Sequence, residues 1–586
     1  MFSLPDDVIS TTIGEFMHLD PPTSPYAESL LVHFRRVEFL KQEALRLPSL
    51  GLNQRQLCDL ELLLNRAFYP LCGFMNQDDY QCVLEKMRLA DGTVWPMPIV
   101  LDVEAVMADQ LVPGRQLALS DQEGFLLAVL TVSGTWKADK RAEALSIFGT
   151  DDPAAHPGVQ RLFSETRDWY VGGRLEGLHL PQHYDFPELR LSPSETHRFF
   201  AQRGWRNVAG FQTNQPLHCA HKEMVLRAAR EAGASLFIQP VVGHLRPGDL
   251  DHFTMVSCYQ EFIKAFPRNM AHLGLIPLAG RQAGPREALW EAVVRKNYGC
   301  NHFMVADDHG DPLTHDLEQR FYPLGAAQDL VRGLEAETGV RMIPLKPVAY
   351  VEDKAQYVVK EEITADMTVK DISSSELRRR LEFDLEIPDW FSLPGVVVEL
   401  KKAYPPRHSQ GFSVLLTGLS GSGKSTLAKV LFVKFMAMRH RPVTLLDGDI
   451  VRRNLSSELN FSREHRDLNV QRIGFVASEI TKNRGIAICA PIAPYEQSRR
   501  IARDMISQYG GYVEVYMSAP LKTCELRDRK GLYAKARAGL VTGVTGVDDP
   551  YEPPVNPELT IDTTELTPNE AAQEVLLYLE EQGYVR

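Results

Sequence analysis

Apolar positions along the chain fall into successive regimes with different spacing. Over residues 1–168 they form short β-like runs, at 95–103 and 124–133, set between Gly/Pro turns. One stretch there, 57–65, has helical spacing. This pattern predicts a mostly β first domain. Over 169–325 the spacing switches to alternation: strands at 207–211, 235–242 and 302–305 interleave with helices at 218–232 and 285–297, which predicts an α/β domain. Residues 326–393 are charged and less clearly patterned, and are expected to form a small subdomain. Within 394–410, Ala403-Tyr404-Pro405-Pro406-Arg407-His408 reads as a short stiff linker. Residues 411–586 form the last domain, in which an apolar run at 412–416 enters a Gly/Ser-rich turn and a helical pattern leaves it at Thr426. There is no internal repeat and no low-complexity segment.

That turn carries the first specific chemistry. Gly418-Leu419-Ser420-Gly421-Ser422-Gly423-Lys424-Ser425 is a complete G-x-x-x-x-G-K-[ST] loop in the strand-loop-helix setting the motif requires. Its glycines let backbone N–H groups converge on phosphate oxygens, Lys424 brings a mobile positive charge, and the Ser425 hydroxyl is a ligand for Mg²⁺. An ATP site with Mg²⁺ is therefore expected. Downstream, an apolar strand at 443–446 ends in Asp447-Gly448-Asp449, which places carboxylates at the carboxyl end of a parallel strand beside the phosphate loop. Such acids hold Mg²⁺ or take a proton from an attacking hydroxyl; the plainer reading is a turn with a helix-capping Asp. Lys424, Asp447 and Asp449 are the candidate catalytic residues, with Ser425 and Asp447 the candidate Mg²⁺ ligands. Beyond them Arg452, Phe461, Arg466 and Asn469 offer two guanidiniums, an aromatic face and an amide, a set suited to an anionic nucleotide.

Composition narrows the setting. The chain has 586 residues, 44% hydrophobic and 24% charged, enough for several cores. A net charge of -12 argues against broad nucleic-acid or membrane binding, so anionic substrates must be held by local clusters of Arg, Lys and loop amides. The eight cysteines form no C-x-x-C pair or zinc-finger spacing, which fits a reduced cytoplasmic compartment. Residues Met1-Phe2-Ser3-Leu4-Pro5-Asp6-Asp7 lack the basic and apolar regions of a signal peptide. No run approaches the roughly 18 apolar residues of a membrane span.

Across the last domain the sequence resembles the adenylylsulfate kinase (APS kinase) family. The likeness rests on 418–426, Leu446-Asp447-Gly448-Asp449 with Val451-Arg452, Phe461-Ser462 with Arg466, Pro494-Tyr495, Lys530-Gly531-Leu532-Tyr533 with Lys535-Ala536-Arg537, and Asp548-Asp549-Pro550-Tyr551-Glu552-Pro553-Pro554. It implies a P-loop kinase with a parallel sheet that transfers the ATP γ-phosphate to the ribose 3′-hydroxyl of adenosine 5′-phosphosulfate (APS), giving PAPS and ADP. It places Arg452, Phe461, Arg466, Asn469, Ile492 and Lys535 on the APS side, with Phe461 stacking on adenine. The ATP side would take Gly418, Ser420 to Thr426 and Arg527. Ala490 stands where many relatives carry serine and Val544 where phenylalanine is usual, which leaves one aromatic wall for the adenine and predicts weaker APS binding. Arg527, Lys530 and Arg537 read either as a lid over phosphates or as a solvated helix face.

Residues 1 to about 390 resemble ATP sulfurylase. Leu57-Cys58-Asp59-Leu60-Glu61-Leu62, Gly73-Phe74-Met75, Met87-Arg88-Leu89-Ala90-Asp91-Gly92, Gly210-Phe211-Gln212-Thr213, His218 with His221, Ala283-Gly284-Pro285-Arg286-Glu287-Ala288 and Arg295-Lys296-Asn297-Tyr298-Gly299 carry the likeness. It implies a PUA-like β domain followed by a nucleotidyltransferase α/β domain whose His-x-x-His pair serves ATP phosphates. A zinc role for the pair would need further ligands at metal spacing, and capping or packing histidines are the other alternative. The family's Gln-Thr-Arg-Asn-Pro segment appears here as Gln212-Thr213-Asn214-Gln215-Pro216. Its Gly-Arg-Asp-His-Ala-Gly signature appears as Ala306-Asp307-Asp308-His309-Gly310-Asp311. One arginine has become Asn214 and another Asp307, while Arg281 and Arg286 remain. A reaction that presses sulfate against an α-phosphate must neutralise negative charge, so the degenerate site is expected to be inactive unless Arg203, Arg206 or a rearranged loop compensates.

The expectation is thus an APS kinase whose sulfurylase-like part serves homo-oligomerisation, as a dimer or hexamer. A bifunctional PAPS synthase, a nucleotide-sensing N-terminal module and adenylyl transfer to another acceptor are the alternatives.

Overall fold

The computed structural model describes residues 29–213, 215–243, 251–312 and 320–586, so Asn214 lies outside the described residues. The chain divides into two compact units. One takes in the chain to Ile372 together with Ile387–Glu399, and the other is Ser373–Glu386 together with Leu400–Arg586.

The first unit is built on two main sheets. Strands Ser49–Gly51, Gln116–Ser120, Leu126–Lys137, Trp169–Gly177 and Gly73–Phe74 lie side by side in that order, and Leu101–Val103 also pairs with Trp169–Gly177. All contacts but the first are antiparallel. The β character read from the first 168 residues is present, and helices Gln54–Leu64, Gln77–Lys86, Lys140–Phe148 and Pro157–Glu165 accompany it. Of the run at 95–103 only Leu101–Val103 is strand. Pro96 and Pro98 lack the N–H that a ladder needs. The run is apolar because it is buried: Trp95 is fully enclosed and its indole N–H donates to the Met97 carbonyl at 2.7 Å.

The second sheet is wholly parallel, in the order Arg341–Pro344, His302–Val305, Val208–Phe211, Ser235–Ile238, Ala271–Leu273. Helices Cys219–Ala232 and Gly284–Asn297 fall where the alternation places them. The strand expected to reach 242 stops at Ile238, just before Pro240. A single core runs from Leu60, Leu130 and Tyr170 of the first sheet layer to Phe237, Trp290 and Tyr298 of the second. The less patterned stretch contains helix Ala326–Gly333 and a three-stranded antiparallel sheet of Gln356–Val359, Val348–Val351 and Val369–Lys370.

The second unit has a five-stranded parallel sheet ordered Val443–Asp447, Ile486–Ala490, Phe412–Gly418, Gly511–Met517, Leu559–Ile561. The central strand is buried along its whole length, as its unbroken apolar run requires. Helix Lys424–Met438 follows, two residues earlier than its apolar pattern suggests, because the Gly423 carbonyl already accepts from the N–H groups of Thr426 and Leu427. The segment 394–410, expected as a linker, holds helix Pro394–Ala403 and a short 3₁₀ turn at Arg407–Ser409. Helix Ser374–Glu382 belongs to this unit: Arg407 pairs with Glu382 and lies over the rings of Phe383 and Tyr584. No helix among the described residues is long and apolar enough to cross a membrane.

Candidate active site

The carboxyl edge of the second unit's sheet opens into a cavity of about 750 Å³. The phosphate loop forms its floor. Gly418 has φ 146°, and a Cβ there would meet the Met517 carbonyl oxygen at 2.6 Å, so the strand can turn into the loop only without a side chain. Gly421, at φ 79°, is likewise pressed against the backbone of Cys524. The Lys424 ammonium is buried and donates to the carbonyls of Gly418 (2.9 Å) and Leu419 (2.6 Å). Burial pulls its pKa down to about 8, against the opposing influence of Cys524 and Asp447. Ser422 Oγ is buried with no hydrogen-bond partner among the described residues. Ser425 and Thr426 are exposed on the same wall.

Asp447 ends its strand and caps helix Gly448–Asn454, one carboxylate oxygen accepting from the Asp449 N–H at 3.0 Å. The capping role and the site position thus coexist, since Asp447 also lines the cavity with Ser425. A hydroxyl and a carboxylate are the hard oxygen donors Mg²⁺ uses when nucleotide phosphates and waters complete its shell. The Asp449 side chain is 69% exposed and ion-pairs with Lys530. Arg527 donates to Thr563 Oγ1 (2.8 Å) and to its carbonyl (2.7 Å), and the Thr563 hydroxyl donates to the Ser422 carbonyl at 3.0 Å. Tyr533 supports the loop from the other side, donating to the Ser420 carbonyl at 2.8 Å.

The opposite wall carries the second set of residues. Arg452 stacks over the Phe461 ring at 4.3 Å, and that ring is 65% exposed toward the opening. Asn469 is buried, and its side-chain oxygen has no hydrogen-bond partner among the described residues. Ile492 lines the same space and its carbonyl accepts from Thr417 Oγ1 at 2.8 Å. Arg466 is held more tightly than its sequence position suggests: it donates to the Phe461 carbonyl at 2.8 Å and to Asp549 at 2.6 Å, and also contacts Thr545 and the Gly543 carbonyl. Tyr495 donates to the other Asp549 oxygen at 2.9 Å. Arg466 therefore fastens the 543–549 loop to helix Arg463–Lys482. Val544 is buried against Ala519, Cys524 and Tyr533 while still lining the cavity. Lys535 is exposed on helix Leu532–Arg537 and is not among the cavity's lining residues. Thr563, which no stretch of the likeness contains, and Tyr533 support the phosphate loop, while Tyr495 and Asp549 hold Arg466; these pairings are visible only in three dimensions.

The first unit gathers the sulfurylase-like set at the end of strand Val208–Phe211. Gln212 contacts both Glu291 and the fully buried Arg295, and Glu291 is bonded to His309 at 2.6 Å. Burial alone would lower the His309 pKa, but Glu291 raises it. His218 caps helix Cys219–Ala232; its Nδ1 lies 2.9 Å from Ser392 Oγ, its ring sits 4.7 Å from that of Phe391, and its backbone N–H donates to His221 Nδ1 at 3.2 Å. Burial lowers both imidazoles to about 4, so they are neutral at pH 7. Gln215 is exposed, and Asp308 faces Arg320 at 3.5 Å. Asp307 is half-buried, with its carbonyl accepting from the Gly325 N–H.

The two retained arginines are spent on the protein itself. Arg281 makes a two-pronged ion pair with Asp59 at 3.0 and 2.9 Å and donates to the Ala279 carbonyl. Arg286 donates to the carbonyls of Val83, Leu84 and Pro96, and burial lowers its pKa to about 10. Arg203 lies over Phe199 and contacts Asn269. Arg295 enters the sequence reading only within the Arg295–Gly299 likeness and Glu291 not at all, because a charged pair on an otherwise core-facing helix gives no local signal.

Comparison with known proteins matches three family models: a PUA-like domain over residues 21–180, ATP-sulfurylase over 187–403 and Adenylylsulphate kinase over 410–562. The sulfate adenylyltransferase of Aspergillus fumigatus is 45% identical over 570 residues, 96% of this chain and 99% of that protein. That of Phaeosphaeria nodorum is 46% identical over 552 residues, 94% and 96% of the two chains. Among solved structures, a hexameric APS kinase from Thiobacillus denitrificans is 40% identical, with a TM-score of 0.77 over 95% of this chain and 98% of its own.

Proposed function

Since the chain belongs to the family that joins PUA-like, ATP-sulfurylase and adenylylsulphate kinase parts in one polypeptide, we propose that its second unit phosphorylates APS at the ribose 3′-hydroxyl, yielding PAPS and ADP. The observation that carries this reading is one cavity holding the phosphate loop, the Asp447–Asp449 acids and the Arg452–Phe461–Asn469 wall together. Loop amides and Lys424 bind the ATP phosphates, and Ser425 with Asp447 would hold Mg²⁺, which would supply charge neutralisation on the transferring group. Arg527, fixed through Thr563, borders the nucleotide. Phe461 gives the APS adenine a stacking face, Arg452 and Arg466 face its phosphosulfate, and the unpartnered Asn469 oxygen accepts a hydrogen bond from it. Asp449 takes the 3′-hydroxyl proton as that oxygen attacks the γ-phosphorus. Incubation with ATP and APS is expected to give ADP and a 3′-phosphorylated nucleotide in equal amounts; ADP release indifferent to APS would overturn the assignment.

We further propose that the first unit does not make APS. Replacing an arginine by Asp307 changes the local charge by two units, and each unit charge about 4 Å from an anion is worth roughly 4 kcal/mol at a near-surface dielectric. Arg281 and Arg286 are committed to Asp59 and to carbonyls, so neither offsets that loss. On this reading the sulfurylase-like part serves assembly into a homo-oligomer of a protein working in the cytoplasm. The printed names of the curated relatives favour a second reading, a bifunctional enzyme with an active sulfurylase.

Two consequences arise at the kinase cavity. Arg466→Ala frees the 543–549 loop and removes a cation, so KM for APS should rise by about 10- to 100-fold, with KM for ATP little changed. An equal rise for both substrates would mean a general loss of structure. Lys424, its pKa lowered to about 8 by burial, is partly neutral near and above that pH, while bound phosphates favour its charged form. ATP binding at pH 8.5 should therefore take up protons, seen as a calorimetric enthalpy that varies with buffer ionisation. In Lys424→Arg that variation should vanish; its persistence would assign the proton elsewhere.

A further inference from the structure

A separate cavity of about 350 Å³ lies inside the first unit, a volume in the range of small-molecule pockets. Part of its wall is apolar, with Val100, Ile147, Phe148 and Leu162, and none of its lining residues comes from 212–221 or 307–309. Three guanidiniums line the rest together with two carboxylates, those of Glu143 and Glu165. Arg55 and Arg281 share Asp59, at 3.0 Å from Arg55 and at 3.0 and 2.9 Å from Arg281, and Arg55 also contacts Asp102. Asp59 and Asp102 are completely enclosed and do not line the cavity, so the carboxylates stand behind the guanidiniums. Arg161 is aimed by hydrogen bonds to Gln282 Oε1 (2.9 Å) and to the Arg281 carbonyl (3.3 Å).

Of the two lining acids, Glu165 is exposed and Glu143 is muted. Glu143 Oε2 accepts from both Tyr80 and Tyr170 hydroxyls, at 2.8 and 2.9 Å, and burial holds its pKa above the usual carboxylate range. Arg281 is shared with the sulfurylase-like set, but neither that set nor the phosphoryl transfer accounts for Arg55, Arg161 and the apolar wall. We propose that the cavity binds a small organic anion, its charged end on Arg161, beside Arg55 and Arg281 whose charges Asp59 and Asp102 balance, and its apolar body against Ile147, Phe148 and Leu162. Its walls come from helices Gln54–Leu64 and Pro157–Glu165 on one side and from Ala279 to Arg281 on the other. An occupant therefore ties the first sheet layer to the segment that leads into helix Gly284–Asn297.

Equilibrium binding of 1-naphthyl phosphate and of 1-naphthoate to the full chain tests this, with neutral 1-naphthol as control and Lys424→Ala present to disable the kinase cavity. Saturable binding of at least one anion, at one site per chain, is expected, and none of 1-naphthol. Arg161→Ala should weaken it at least tenfold, as loss of a charge-assisted hydrogen bond does, while Arg161→Lys should retain most of it. Matching melting temperatures of the two variants separate loss of charge from loss of fold; unequal melting moves the comparison to Ile147→Trp, which fills the cavity and should abolish binding. Absence of saturable binding by either anion overturns the proposal. So does binding that survives Arg161→Ala undiminished, or equal binding of 1-naphthol.

Discussion

Lys424→Ala is expected to lower APS-dependent ADP release by about 10³-fold or more while leaving the chain folded. The ammonium is buried and held over the phosphate loop, where it meets the charge that develops on the transferring phosphoryl group. The stability side of the same change has the opposite sign. A lysine whose pKa falls from 10.5 to about 8 on folding carries a cost of about 3 kcal/mol in its charged form, present in full below pH 8 and relieved as pH rises toward 10.5. Lys424→Met should therefore melt no lower than the parent at pH 7. Near-parental turnover in Lys424→Ala would show that the loop does other work, and a collapse in melting temperature would show that the carbonyl hydrogen bonds outweigh the desolvation.

Asp449→Asn should cut kcat by about 10²- to 10⁴-fold, the range for removing a general base, with KM for ATP nearly unchanged. The amide keeps the size of the side chain and leaves untouched the Asp449 N–H that Asp447 caps. It cannot accept the 3′-hydroxyl proton, and it loses the ion pair with Lys530. Lys530→Ala separates the two effects, because it breaks the ion pair and leaves the carboxylate. If Asp449→Asn and Lys530→Ala impair turnover equally, Asp449 acts by holding Lys530 and the proton goes elsewhere.

Much of this architecture was legible in local pattern. Strands Val208–Phe211, His302–Val305 and Phe412–Gly418 and helix Gly284–Asn297 lie within two residues of their apolar periodicity, since each is an uninterrupted run with one structural solution. Prolines set the misreadings: over 95–103 apolarity reflects burial while Pro96 and Pro98 lack a ladder N–H, and past Pro240 the pairing of 235–242 dwindles to a single bridge between Val241 and Ile276. Helix Pro394–Ala403 was missed because the proline-rich segment after it dominates the window.

The cavity at the phosphate loop followed from a contiguous motif, whereas its supports did not. Arg466 is bound to Asp549 across 83 positions and Arg527 to Thr563 across 36, pairings without any local trace. The same holds in the first unit, where the partners that occupy Arg281 and Arg286 lie about 200 residues upstream.

The central claim is that phosphoryl transfer in the second unit is this chain's working chemistry and that the first unit makes no APS. One purified preparation, assayed in parallel for ADP release with ATP and APS and for pyrophosphate release with ATP, sulfate and Mg²⁺, tests it most directly. The account predicts brisk ADP release and pyrophosphate release at least about 10³-fold slower, as loss of two preorganised cations requires. Pyrophosphate released at a rate similar to ADP would contradict it.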